Sequence, residues 1–227
     1  MLGAGTAVKP LYDGARPYTI QVGPAVNIRY RDIAFASLGE GIGANLLRGD
    51  NYRAGIAIAY DFGRRVSQYP SHLEGLGNIE PAPAIKLFVS YAVSKSFPLV
   101  VRADVRRVIG GANGCIGDLG AYLPLPGSSK TLVMFAGPSV TVAAGDYMRN
   151  VFGVGVAQSA ASGYSRYNAT AGAEAVGMGF SITWFFTDHW LFNADTAVNR
   201  LLGSAASSPI TQLKTQGIAA VSVAYQW

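Results

Sequence analysis

The stretch Tyr18-Thr19-Ile20-Gln21-Val22-Gly23-Pro24-Ala25-Val26-Asn27-Ile28-Arg29-Tyr30-Arg31 decides the fold. One face reads Tyr18, Ile20, Val22, Pro24, Val26, Ile28 and Tyr30. The other reads Thr19, Gln21, Gly23, Ala25, Asn27, Arg29 and Arg31. Alternation with period two is the mark of a strand that separates two environments. Strands of soluble sandwiches run about 5 or 6 residues, whereas a tilted strand crossing a bilayer needs about 9 to 11. The apolar face also begins and ends on tyrosine, where the interfacial girdle of a membrane barrel places its aromatics. A long-stranded soluble barrel of the lipocalin kind would share the alternation, but not the girdle.

The same pattern recurs along the chain. Ala54, Ile56, Ile58, Tyr60 and Phe62 share a face, as do Ile85, Leu87, Val89, Tyr91 and Val93. Leu99, Val101, Ala103 and Val105 oppose Arg102, Asp104 and Arg106. Val176, Met178, Phe180, Ile182, Trp184 and Phe186 oppose small and hydroxyl residues. Strands are expected at Leu2–Lys9, Tyr18–Arg31, Ile33–Leu46, Tyr52–Phe62, Ala84–Val93, Leu99–Ile109, Cys115–Leu123, Thr131–Ala143, Ala175–Phe186, Trp190–Arg200 and Gln216–Trp227. Tight turns separate several of them, at Arg31-Asp32, Gly49–Asn51, Ser94–Phe97 and Thr187–His189. Three links are long: Gly63–Pro83, Ala144–Glu174 and Leu201–Thr215. Short turns at one end and long loops at the other are the pattern of an up-and-down outer-membrane barrel. Single-chain bacterial barrels have even strand numbers, so the eleven segments imply a twelfth, either hidden in Ala144–Glu174 or preceding Met1. The expected fold is all-β: one transmembrane antiparallel barrel over residues 1–227, with about 12 strands (range 10–12).

Composition agrees. Of 227 residues 50% are hydrophobic and 14% charged, with 28 glycines, and the mean hydropathy is +0.24. Soluble domains carry roughly 25% charged residues. No run of about 18 apolar residues exists to make a transmembrane helix. The lone Cys115 excludes a disulfide scaffold. A net charge of +5 could suggest nucleic acid, but the basic residues are scattered and form no recognition motif, so no nucleic-acid partner is expected. The start shows no basic segment followed by an apolar one, which leaves a removed leader or a start inside the gene.

At the C-terminus, Ala219, Val221, Val223, Tyr225 and Trp227 form one apolar face ending in an aromatic residue. This resembles the insertion signal of outer-membrane barrels. The resemblance implies recognition by the barrel-assembly machinery through β-augmentation.

Longer segments resemble the MipA/OmpV family. They are Gly3-Ala4-Gly5 with Pro10–Gly14, Asn27–Asp32, Leu38–Leu47, and Tyr52–Gly55 through Tyr60–Arg64. The most specific is Asp146-Tyr147-Met148 with Phe152-Gly153-Val154 and Gln158–Gly163, followed by Arg200–Gly203 and Ser208-Pro209-Ile210. The chain departs from the family in beginning almost inside its first strand and in ending on Trp rather than Phe. The resemblance implies a scaffold in the bacterial outer membrane, in contact with lipid and lipopolysaccharide. Such a scaffold binds a lytic murein transglycosylase and bridges it to a peptidoglycan synthase. Other members are described as osmoregulated surface proteins, adhesins or antigens.

Catalytic chemistry is not expected. One Cys and two His are too few for a metal centre. His72 in a long loop and His189 in a turn belong to no hydrolase motif. No cofactor is implied, and Gly39-Glu40-Gly41-Ile42-Gly43 lacks the βαβ setting of a nucleotide fingerprint, reading instead as interior space or a bend. The charges of interest are those expected to face the lumen: Arg29, Arg31, Arg53, Arg102 and Arg106, with Asp61, Asp104 and Asp118 as partners. They either fill the lumen as an ion-pair network or form an anion-favouring constriction. The Ala144–Glu174 loop is apolar for an external loop, and we expect it to lid the lumen through Asp146, Tyr147, Phe152, Gln158, Ser159, Ser162 and Gly163. Beside the scaffold stand two other readings, a small permeability barrel with an Arg-rich lumen and a surface adhesin using the long loops.

Overall fold

The computed structural model describes residues 1–94 and 96–227. Twelve strands form a closed barrel in which each pairs antiparallel with its neighbours in sequence and the first pairs with the last. They are β1 (Leu2–Pro10), β2 (Tyr18–Tyr30), β3 (Ala34–Ser37), β4 (Gly41–Arg48), β5 (Tyr52–Asp61) and β6 (Ala82–Ala92). The second half comprises β7 (Val100–Val108), β8 (Gly114–Pro124), β9 (Leu132–Ala143), β10 (Gly172–Phe185), β11 (Trp190–Leu201) and β12 (Thr215–Tyr225). Closure comes from β1 and β12, paired from Leu2↔Tyr225 to Val8↔Ala219. A closed barrel satisfies its backbone internally, which is why strands can cross hydrocarbon at all.

Alternation sets which way each residue faces. Ile20, Val22, Ile58, Met178 and Val198 are exposed on the outer surface, and Val22 reaches 81%. Aromatic pairs mark the strand ends: Tyr60 with Phe62, Trp184 with Phe186, and Trp190 with Tyr225, their ring centroids 5.4 to 5.5 Å apart. An apolar band bounded by such pairs is the lipid-facing surface of an outer-membrane barrel. None of the helices is long and apolar enough to cross a membrane among the described residues. In the turn expected at Ser94–Phe97, Lys95 lies outside the described residues.

The twelfth strand lies in neither of the expected places. Ile33–Leu46 is not one strand but the β3–β4 hairpin, which reverses at Leu38–Glu40. Gly41 leaves this turn at φ +87°, and the Ser37 hydroxyl accepts a hydrogen bond from the Glu40 N–H at 3.0 Å. A Cβ at Gly41 would stand 2.2 Å from the Ile58 carbonyl oxygen, so position 41 requires glycine on two counts. Only Asn27–Tyr30 of β2 pair with β3, so the hairpin stops short and the wall is lower there.

Both termini and the short connections that follow β2, β4, β6, β8 and β10 lie at one end, while the short turns 38–40 and 109–113 lie at the other. With these two turns are the 11–17 loop, residues 62–81, residues 144–171 and residues 202–214. These loops carry the helices α1 (Pro70–Leu73), α2 (Gly145–Phe152), α3 (Val156–Ser162) and α4 (Gly203–Ala206). No strand is hidden in Ala144–Glu174; it holds α2 and α3 and one isolated bridge, Val154↔Tyr167. Most of the buried apolar residues gather at this loop end in two clusters.

Candidate functional site: the barrel interior

Helix α2 shows why the apolar loop packs inward. Tyr147, Met148 and Phe152 fall on one side of the helix at spacings of one and four residues, and all three are buried. They meet the inward-facing Ala84, Val108, Ile116 and Ala143 of the wall, together with Ala205 of α4. The last carbonyls of a helix lack partners within it; here Val151 O accepts from the Arg64 guanidinium at 3.1 Å and Phe152 O from the Ser208 hydroxyl at 2.6 Å. Arg64 is itself buried, with its guanidinium 5.5 Å from the centre of the Tyr12 ring. Burial depresses the pKa of this arginine, while Tyr12 works in the opposite direction.

Helix α3 is tied by its polar residues. The Gln158 side chain accepts from the Gly155 N–H at 2.8 Å and donates to Leu76 O at 2.5 Å, joining two loops. The Ser159 hydroxyl donates to Tyr164 O and that of Ser162 to Gln158 O, while Gly163 ends the helix at φ +77°. Asp146 pairs with Arg149 one turn later on the exposed side of α2. His72 is a structural link: Nε2–H donates to Ile210 O at 2.9 Å, and Nδ1 lies 2.7 Å from the Tyr164 hydroxyl. His189 stacks on Tyr225 at the opposite rim, with centroids 5.4 Å apart.

Beneath these loops the strand register arranges the lumen in rungs, because residues directly opposite in neighbouring strands share a face. Ala84 and Val108 form the uppermost, apolar rung against the loops. Next come Lys86 and Arg106, then Phe88, Asp104 and Asp118, then Arg53, Ser90, Arg102 and Gly120 nearest the short turns. The middle charges neutralise one another. Arg106 holds Asp118 at 2.5 Å and Asp104 at 3.4 Å, Lys86 lies 3.8 Å from Asp104, and the Thr141 hydroxyl donates to Asp118 at 2.6 Å.

Below them is a cavity of about 270 Å³ lined by Arg53, Ser90, Arg102, Phe35, Phe88 and Asp104, among others. A second, of about 290 Å³, lies between Arg102, Tyr122 and Phe135 on one side and Ser181 and Asp195 on the other. Glycine makes room for Tyr122: a Cβ at Gly120 would meet its ring at 2.6 Å, and one at Gly179, two strands along the wall, would stand 3.6 Å from it. The Arg102 guanidinium lies 6.0 Å from the centre of this ring.

The expected charges therefore divide. Arg106, Asp104 and Asp118 come together; Arg53 and Arg102 line the cavity; Arg29 pairs with Glu40 at 3.9 Å. Asp61 instead caps the chain turn, accepting from the Gly63 N–H at 2.8 Å. Arg31 is a correction, since it sits in the β2–β3 turn at φ +48° with its guanidinium 5.4 Å from the girdle ring of Tyr30, outside the lumen rungs. The strand ends at Tyr30, one residue before the alternation does. Sequence reasoning passed over Lys86, although its place opposite Ile85 and Leu87 already put it on the inner face. Val221, Val223 and Tyr225 face outward on β12 beside Ala219, while Trp227 extends past the strand, 82% exposed.

The family model described as "MltA-interacting protein MipA" matches residues 2–227 of the chain. No curated protein matches it. Among solved structures, the NanC porin is 8% identical with complete coverage of both chains and a TM-score of 0.56, a likeness of fold. The CymD monoaromatic hydrocarbon channel is 9% identical over 100% of this chain and 88% of its own, with a TM-score of 0.46. A bacterial polysaccharide outer membrane secretin is 10% identical over 100% and 98%, with a TM-score of 0.45.

Proposed function

This chain belongs to the MltA-interacting protein MipA family, and on that premise we propose that it is a non-enzymatic scaffold of the outer membrane. It holds a lytic murein transglycosylase, together with a peptidoglycan synthase, at its periplasmic rim. Short turns of such barrels face the periplasm and long loops the exterior. The packed helices therefore close the outer mouth, and the end carrying both termini faces the murein layer. The observation that carries this reading is the folded mass of loops, with Met148 wholly buried and Phe152 1% exposed. A barrel so filled serves better as an anchor than as an open pore. The outward face of Ala219, Val221, Val223, Tyr225 and Trp227 supports delivery by the barrel-assembly machinery through strand pairing.

Affinity purification of the detergent-extracted protein tests the scaffold. A lytic transglycosylase is expected to co-purify, and to be lost when the periplasmic turns 49–51 and 125–131 are replaced by Gly-Ser segments. Unchanged coupling of transglycosylase to synthase in a deletion strain overturns the reading. Steady single-channel current in planar bilayers would replace it with the permeability barrel.

A further inference from the structure

We propose that the rung Arg53–Ser90–Arg102 is a binding site for a small organic acid, entered from the short-turn mouth. Arg53 pairs in register with Ser90, and Ser90 with Arg102, so two guanidinium groups flank one hydroxyl on adjacent strands of the inner wall. Neighbouring strands lie about 4.8 Å apart, which places the two arginine backbones about 10 Å from one another. Side chains of that length reach the space between them. Both arginines are exposed to the cavity, and neither makes an ion pair among the described residues. Arg29 is instead paired with Glu40, Lys86 with Asp104, and Arg106 with Asp104 and Asp118, while Arg48, opposite Arg53 in register, donates to Arg31 O at 2.9 Å. Two like charges on one rung repel, and an anion between them turns that repulsion into two charge-assisted contacts.

The walls define the rest of the ligand. Phe35 and Phe88 meet edge to face with centroids 5.5 Å apart and line the same cavity, Phe88 one rung above the arginines and Phe35 on the rung of Lys86. They offer an apolar surface beside the cationic one. Asp32 and Glu40 also line the cavity and disfavour a second acid group. The fitting ligand therefore carries one carboxylate or phosphate, held by Arg53, Ser90 and Arg102, and a compact apolar group resting on Phe35 and Phe88. The loops at the far end make the site a vestibule, and the assignment stands independently of the murein scaffold.

Calorimetric titration of the full chain in detergent tests this with benzoate, phenyl phosphate, inorganic phosphate and the neutral benzyl alcohol. Saturable binding of benzoate or phenyl phosphate is expected, at least 10-fold tighter than that of inorganic phosphate or benzyl alcohol. The better of the two acids identifies carboxylate or phosphate as the natural head group. Arg53→Gln and Arg102→Gln are each expected to weaken binding about 10-fold, Ser90→Ala about 3-fold, and Arg31→Gln not at all. Absence of saturable binding by the wild type overturns the site. So does equal weakening by Arg31→Gln, or unchanged binding by a Ser90→Ala, Arg102→Lys variant that keeps the barrel's circular dichroism.

Discussion

The two ends of the lumen share one wall and are filled in opposite ways. Strand β6 passes through both, its inward residues running Ala84, Lys86, Phe88, Ser90. At Ala84 the wall meets α2 and α4 in a dry cluster with Val108, Ile116, Met148 and Phe152. At Ser90, six residues on, it faces an exposed cavity with two arginines that make no ion pair among the described residues. Between them Lys86, Asp104, Arg106 and Asp118 form a charged floor under the packed loops. The wall carries small apolar residues where chain must pack against it and charged ones where water enters. Packing holds one end shut; the other keeps its charges available.

The comparison can be broken at several points. The largest effect is expected from Phe152→Ala, which removes a large buried side chain at the centre of the loops. It should cost about 3–5 kcal/mol of their packing, seen as a lowered Tm and protease cleavage within residues 144–171 while the barrel keeps its heat-modifiable mobility. Conductance appearing in this variant alone would show that these loops seal the lumen. Deletion of Gln158–Gly163 without change in Tm or conductance would sink the lid.

Second is Arg106→Gln, which leaves Asp104 and Asp118 facing each other. The pair is about one-third exposed, so water in the lumen screens it and the loss should be about 1–2 kcal/mol. Denaturant unfolding reads it, and Asp118→Asn in the same chain should restore part.

Third is the response to alkali. Burial raises the Tyr12 and Tyr147 hydroxyls above their ordinary range. A neutral form favoured by the fold gives stability fully present below the ordinary pKa of about 10 and lost as pH rises past it. Proteolysis of the loops should therefore accelerate above about pH 10, and less so in Tyr147→Phe. The smallest effect belongs to Arg29→Gln at the exposed rim, where breaking the 3.9 Å pair with Glu40 should cost under about 0.5 kcal/mol.

Much of the wall was legible because a strand's faces are fixed by its own local geometry. Tyr18–Tyr30 and Gly172–Phe185 fall where alternation placed them, within a few residues at either end. The β3–β4 hairpin was not. Gly39, Gly41 and Gly43 fit the interior face of a strand as well as a turn, and period two cannot tell them apart. Only the left-handed backbone at Gly41 and its approach to Ile58 O decide for the turn.

In the lumen, alternation identified Arg53, Arg102, Asp104, Arg106 and Asp118 as inward. It could not show that the last three combine with Lys86 while the first two make no ion pair among the described residues. Arg31 shows the limit at a strand end, where one residue past the last ladder pair the chain has already turned. Local chemistry, then, determined the membrane-facing wall and the composition of its two faces, because alternation acts over a few residues. The partition of the interior into a packed end and a charged hollow was decided by tertiary structure. It depends on register across four strands and on loops 11–17, 62–81, 144–171 and 202–214 meeting in space, contacts that no single stretch of chain encodes.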